Sequence, residues 1–419
     1  MRLRADDMPD LAVNAIDPEL QSQFAASGLA PLTLAGRTLL PIVQGGMGVG
    51  VSAHRLAGTV ASLGGVGTIS SVDLRRHHPD LMARTQGLAA RAGCNDDTRV
   101  QIDEANREAL AREVRAAQAI AGRLGLVAVN VMRALGDYVA YVKTSLRAGA
   151  DMIVVGAGLP LDLPDLAADH PQALLVPILS DARGVQLIVR KWERKKRLPD
   201  AIVIEHPRLA GGHLGAARIA DLNDARFEFE QVLPASREFL KSAGLEREVP
   251  LIAAGGIRSR DDIARVQSLG AAGAQLGTPF AVTTEGDASD GFKRVLAQAR
   301  DDDLVEFTSV AGLPARAVAT PWLRTYLALQ DKLQSVAHVR QRCTKAFDCL
   351  AQCGLRDGFK DWGQFCIDNQ LAAALRGDLK KGLFFRGVGA LPFGEQIRSV
   401  RELLERLLAR GAPLPQPIG

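Results

Sequence analysis

Apolar residues in this chain fall into short continuous runs separated by longer segments with helical spacing. Eight runs recur, at residues 39–46 (LLPIVQGG), 64–71 (GGVGTISS), 125–132 (GLVAVNVM), 150–158 (ADMIVVGAG), 173–181 (ALLVPILSD), 200–208 (DAIVIEHPR), 249–256 (VPLIAAGG) and 271–280 (AAGAQLGTPF). They are rich in Val and Ile and do not alternate with polar residues, as expected of strands covered on both faces of a parallel sheet. Between them, residues 103–123 place Ala109, Leu110, Val114, Ala117, Ile120 and Ala121 at helical spacing, and 138–148, 182–196 and 261–269 read the same way. Eight strands alternating with helices over about 240 residues predict an α/β fold, a (β/α)8 TIM barrel. An open doubly wound sheet is the alternative architecture. The barrel is expected at 39–300, after an N-terminal arm (1–38) and before a mainly helical C-terminal extension (301–419), where 398–408 has a clear apolar period.

Composition narrows the function classes. The chain has 51 Lys+Arg and 47 Asp+Glu, a formal charge of +4, too small a basic excess for a nucleic-acid binder of this length. No apolar run reaches the 18 residues of a membrane span, and the acidic start MRLRADDMPD is unlike a signal peptide, so a cytoplasmic location is expected. The basic run at 192–197 (WERKKR) reads as a solvated helix end. The expected partner is a small-molecule or carrier-bound substrate; a homodimer is left open. Five cysteines make an odd count, which argues against a disulfide framework.

In a barrel, chemistry sits on loops at the C-terminal ends of the strands. Gly255 and Gly256, preceded by Ala254, offer backbone N–H groups before a helix, and Gly277 and Thr278 do so after the next strand. Adjacent loops of this kind suit a phosphate dianion. His213 sits in AGGHLG; its neighbours Gly211 and Gly212 would let an imidazole face a flat ligand, where it could act as a base. His206, followed by Pro207, reads as structural. Asn130 and Gln275 end buried strands and either cap backbone or meet a planar cofactor. Asp181 reads equally as a helix N-cap or a ligand contact.

Cys343, Cys349, Cys353 and Cys366 form a C-x5-C-x3-C-x12-C set that matches neither the common ferredoxin spacing nor paired zinc knuckles. By themselves they are metal ligands or small buried hydrophobes. Cys94 stands alone.

In order, the segments PIVQGGMGVGVS, GGVGTISS, VNVM, GADMIVVGAGLP, AGGHLG, AAGGI and QLGTPF resemble the nitronate monooxygenase (2-nitropropane dioxygenase) family of FMN-dependent barrels. The resemblance covers about residues 35–300 and implies the same barrel fold. It implies that Gly45, Gly46 and Met47 lie against the flavin, that Asn130 meets its polar edge, and that Gly255, Gly256, Gly277 and Thr278 hold its phosphate. His213 matches the family's catalytic base. The long helix at 183–196 and the four tail cysteines look like an iron–sulfur subgroup that dehydrogenates and isomerises a medium-chain acyl-carrier-protein thioester. That likeness implies a [4Fe–4S] cluster on Cys343, Cys349, Cys353 and Cys366. The stretch EHPRLAGG departs from the acidic-glycine sequence usual before the catalytic histidine.

The function expected is an FMN oxidoreductase in which His213 removes an α-proton from an acyl thioester. Oxidation of alkyl nitronates with O2 and NAD(P)H-dependent enoyl reduction are the alternatives. An IMP-dehydrogenase-type barrel would need a cysteine after the sixth strand, and the chain has none between Cys94 and Cys343. A non-catalytic flavin binder would not need His213.

Overall fold

Eight parallel strands close into a barrel in the computed structural model, which describes residues 13–122, 124–337, 343 and 345–415. Residues 1–12 of the expected arm, and Arg123 at the end of the helix expected at 103–123, lie outside the described residues. Strands β1 (Val13–Asn14), β2 (Leu32–Leu34) and β3 (Arg37–Leu39) make a small sheet ahead of the barrel. The barrel strands are β4 (Ile42–Gln44), β5 (Val66–Ser70), β6 (Leu126–Met132), β7 (Met152–Gly156), β8 (Leu174–Leu179), β9 (Ile202–Glu205), β11 (Leu251–Ala254) and β12 (Gly273–Leu276). They pair in that order, and β12 returns to β4. Strand β10 (Gly212–His213), between β9 and β11 in the chain, belongs to another sheet.

Each predicted run contains one barrel strand. The first is split: Leu39 ends β3 and the barrel strand starts at Ile42, because Pro41 between them has no N–H to give to a ladder. The runs look continuous because both faces are buried. In β6, Leu126 and Ala128 pack inside the barrel with Val43, Val154, Val203 and Ile252, whereas Val127, Val129 and Val131 pack outward under the helices.

Several helices start where a side chain satisfies a free N–H. Asn95 accepts from Thr98 N–H at 2.8 Å, so the helix Asp96–Ala121 begins seven residues before the apolar period suggested. Ser259 and Asp262 form a capping box that opens the helix Arg260–Ser268. The extension carries the helices Pro321–Ser335, Ile367–Leu375 and Val400–Leu408. It also carries a hairpin that the helical reading did not contain, β13 (Leu304–Thr308) and β14 (Pro314–Val318). Strand β14 pairs antiparallel with β10, which seats the extension on the loop end of the barrel. No helix among the described residues is long and apolar enough to cross a membrane.

Candidate active site

The C-terminal strand ends and the extension together enclose a cavity of about 540 Å³. Its lining includes Gly45, Gly46, Met47, Asn130, Asp181, Gly211, Gly212, His213, Ala254, Gly255, Gly256, Gln275, Gly277 and Thr278, so every flavin and catalytic candidate faces one space, and of the four candidate cysteines Cys349 borders it. Strand parity explains part of this. Asn130 shares the inward face of β6 with Ala128, and Ala254 that of β11 with Ile252.

The lining fits FMN. A Cβ on Gly46 would fall 2.4 Å from Asn130 Cβ, so only glycine lets the chain pass this close to the floor of the cavity. Across the cavity, Gly255 and Gly256 take φ of 107° and 70°, and their loop leads into the capped helix Arg260–Ser268. The Thr278 hydroxyl accepts from Gly387 N–H at 3.1 Å. Arg258, beside this loop, lines the cavity, and its buried Nε has no hydrogen-bond partner among the described residues. An unpaired guanidinium N–H next to two N–H-bearing loops is what a phosphate would satisfy. Asp181 acts on the backbone instead. Its carboxylate accepts from Gly184 N–H at 2.7 Å and caps the helix Ala182–Glu193.

His213 is held by β10, where its backbone pairs with Ala315 of β14. Its Nε2 lies 3.0 Å from Ser309 Oγ, and its ring stands 5.5 Å from that of Phe385, both residues of the extension. Burial lowers its pKa to about 4, so the imidazole is neutral at pH 7. His206 is structural: Nε2 lies 3.2 Å from Glu228 and its ring meets Phe229 edge-on.

Glu205 ends β9 on the same inward face as Val203 and lines the cavity, a residue the sequence reading left out. Its only signal was that parity within IVIE. Burial pushes its pKa up from 4.5 to about 7. The folded state therefore holds a proton that the unfolded chain releases above pH 4.5, so this group's contribution to stability is lost as pH rises towards about 7. Glu205→Gln is expected to gain about 2–4 °C in Tm over the wild type at pH 8 and little at pH 4.5. Thermal melts at the two pH values check this, and an equal difference at both would contradict the desolvated carboxyl with a raised pKa.

The cysteines do not meet the expectation placed on them. Among the described residues, no group of three or more His, Cys, Asp or Glu is placed to hold a metal ion. All five cysteines are free and half-buried. Cys343 Sγ approaches Phe347 O at 3.6 Å, and Cys349 and Cys353 pack against the hydrophobic core. With no such group placed, the arrangement does not support the [4Fe–4S] cluster on Cys343, Cys349, Cys353 and Cys366, although the other three thiols lie near enough to Cys349 to add to the rise in its pKa that burial causes.

A family model described as nitronate monooxygenase matches residues 32–410. A stretch of 85 residues is 31% identical to a probable nitronate monooxygenase of Staphylococcus saprophyticus, covering 20% of this chain and 24% of that protein. The match thus spans about a quarter of that relative's length. A longer match, 25% identical over 300 residues, covers 72% of this chain and 67% of a hydroxy-methyl-oxo-octahydroindene-carboxyl-CoA dehydrogenase of Mycobacterium tuberculosis. Among solved structures, FabK from Thermotoga maritima aligns with a TM-score of 0.58 at 18% identity, over 94% of this chain and 95% of that one. Nitroalkane oxidase from Streptomyces ansochromogenes gives 0.58 at 20%, over 91% and 96%. At these identities the structural likeness speaks for the fold.

Proposed function

The chain belongs to the nitronate monooxygenase family of flavin-dependent oxidoreductases, and on that premise we propose that it is an FMN enzyme acting on an acyl thioester, with His213 removing the α-proton. The observation that carries this reading is the position of His213. A neutral, half-buried imidazole stands in the same cavity as the two phosphate loops and an apolar wall from the extension.

Gly255, Gly256, Gly277, Thr278 and Arg258 would hold the FMN phosphate, and Gly45, Gly46 and Asn130 would border its ring. When bound, FMN supplies a two-electron acceptor. The chain's own residues supply the rest. His213 accepts the α-proton, which needs no prior deprotonation of the imidazole at neutral pH. Phe385 covers one side of the His213 ring. Met132, Leu135, Leu371 and Leu383 offer an acyl chain a dry wall. Glu205, in the protonated form that its raised pKa of about 7 maintains below neutral pH, would offer a hydrogen-bond donor to an oxygen on which charge develops.

The Mycobacterium relative, named for a carboxyl-CoA substrate, supports a thioester over a nitronate. The family's own name supports the second reading, oxidation of alkyl nitronates with O2. Anaerobic mixing of the purified flavoprotein with a medium-chain acyl thioester, an alkyl nitronate or NAD(P)H separates them. Bleaching of the flavin by the acyl thioester is expected. Bleaching by the nitronate alone, with O2 consumed once air is admitted, would establish the second reading. Bleaching by NAD(P)H alone, reversed by an enoyl thioester, would make the protein a reductase.

The pH profile is a further prediction. With a pKa of about 4, His213 stays a competent base well below the 6.5 of free imidazole. Flavin reduction by a neutral substrate is therefore expected to keep most of its pH 7 rate at pH 5.5. Stopped-flow rates across pH 4.5–8 measure this, and an acid limb centred near 6.5 would mean a solvated histidine.

A further inference from the structure

We propose that the outer face of the helix Ala182–Glu193 docks an acidic carrier protein, which presents the acyl thioester to the cavity on a flexible arm. This inference rests on the reading of the substrate as an acyl thioester.

Four of the residues that line the cavity are exposed: Gly158 and Leu159 in the loop after β7, and Gly211 and Gly215 in the loop after β9. The opening therefore lies on the side of β8, the strand between those two in the barrel. The helix that follows β8 starts at this opening, since Asp181 and Gly184 both line the cavity.

That helix has two unlike faces. Val185, Ile188, Val189 and Trp192 are buried. Arg183, Leu187, Arg190, Lys191 and Arg194 recur at helical spacing on the opposite face, and all are exposed. Arg183, Lys191 and Arg194 make no ion pair with any described residue. Lys195 and Arg197, to one side, are already paired with Asp165 and Asp200. Residues 182–197 hold seven basic side chains and one acidic, a larger positive excess than the +4 of the whole chain. The rest of the chain is therefore net negative, and positive potential is concentrated on this helix. The helix dipole accounts for Arg190 and Lys191 in the last turn. It does not account for Arg183 in the first turn, where the dipole disfavours a cation, nor for Leu187, 40% exposed in the middle of the cations.

The length of the strip selects the occupant. From Arg183 to Arg194 it runs about 16 Å, starting at the opening. A thioester is carried either on a nucleotide-bearing coenzyme or on a protein. The phosphates of a nucleotide would use the cations next to the opening and leave those several turns away idle. A protein with acidic residues spaced along one element would meet the whole strip and cover Leu187 as the apolar centre of a charged contact. Leu159, at the lip of the cavity, and Leu161 are exposed beside it. Leu161 flanks the far end, where its carbonyl accepts from Lys195 Nζ at 2.8 Å.

The test carries one medium-chain acyl group on three thiols, N-acetylcysteamine, coenzyme A and a phosphopantetheinylated acidic acyl carrier protein. Flavin reduction of the full-length flavoprotein is followed at low and at moderate salt. At low salt, kcat/KM for the carrier thioester is expected to exceed that for the N-acetylcysteamine thioester by at least about tenfold, and the excess should shrink as salt screens the strip. Arg183→Glu, Lys191→Glu and Arg194→Glu combined should lower kcat/KM for the carrier thioester by about tenfold or more, through KM, and leave the N-acetylcysteamine thioester unaffected. Leu187→Ala should weaken the carrier thioester alone, and it remains informative if the charge reversal folds poorly. No preference for the carrier, or a loss in the triple variant as large with coenzyme A or N-acetylcysteamine as with the carrier, would overturn the proposal. If no thioester reduces the flavin, the substrate reading fails instead. Fluorescence anisotropy of the labelled carrier protein with wild type and triple variant then decides the docking: tighter binding to the wild type supports it, and equal or absent binding overturns it.

Discussion

His213→Ala is expected to lower the rate of flavin reduction by a neutral carbon acid by about 10²–10⁴-fold, the usual worth of a positioned general base. FMN should stay bound, because the loops assigned to its phosphate come from β11 and β12, not from β10. The loss should depend on the substrate. A preformed anionic nitronate has already lost its α-proton, so its oxidation should suffer far less than that of an acyl thioester or a neutral nitroalkane. Anaerobic stopped-flow reduction of wild type and variant by each substrate class measures the ratio. Equal losses with nitronate and thioester would point to a damaged cavity rather than a missing base. No loss with either would remove His213 from the mechanism.

Gly211→Ala is the second large effect. A Cβ there would lie 2.3 Å from both Arg386 C and Gly387 N and 2.7 Å from Arg386 O. These are backbone atoms, so no rotamer change relieves the collision, and one of the two segments must move. Both matter to the site. His213 is two residues away, and Gly387 N–H donates to the Thr278 hydroxyl of a phosphate loop. The extension cannot yield easily, because the buried Arg386 guanidinium donates to the carbonyls of Leu296, Gly387 and Gly389. Overpacking of this kind costs about 1–3 kcal/mol. The variant should melt several degrees lower and be purified with less flavin than the wild type. Gly212→Ala should do less: its φ of 78° makes alanine strained, but the nearest atom to its Cβ is a Phe385 ring carbon at 3.8 Å. The ratio of flavin to protein absorbance and thermal melts compare the two. Full flavin content and an unshifted melt in Gly211→Ala would contradict the tight approach of the extension.

The barrel was legible because its signal is local. Burial on both faces leaves an unbroken Val- and Ile-rich run in each strand, and the helix Tyr138–Ala148 was placed to the residue by its own apolar period. The glycine loops were legible for a related reason, since they occur where buried runs end. Local pattern was therefore enough for eight strands, their order, and the loops that face one cavity. It could not decide what each polar candidate does there. Asp181 lines the cavity and caps a helix, its carboxylate taken by the Gly184 N–H of its own first turn. Glu205 keeps its proton up towards about pH 7, well above the ordinary carboxyl range, only because the fold removes water from it. The four cysteines are near neighbours in the chain, yet convergence of their sulfurs is a property of the folded segment, and spacing alone did not report it. The partner of His213 was beyond the reach of any local pattern. Ser309 lies 96 residues away and arrives through the pairing of β10 with β14. Periodicity records which face of an element is buried, while the identity of what buries it is settled only when distant segments pack.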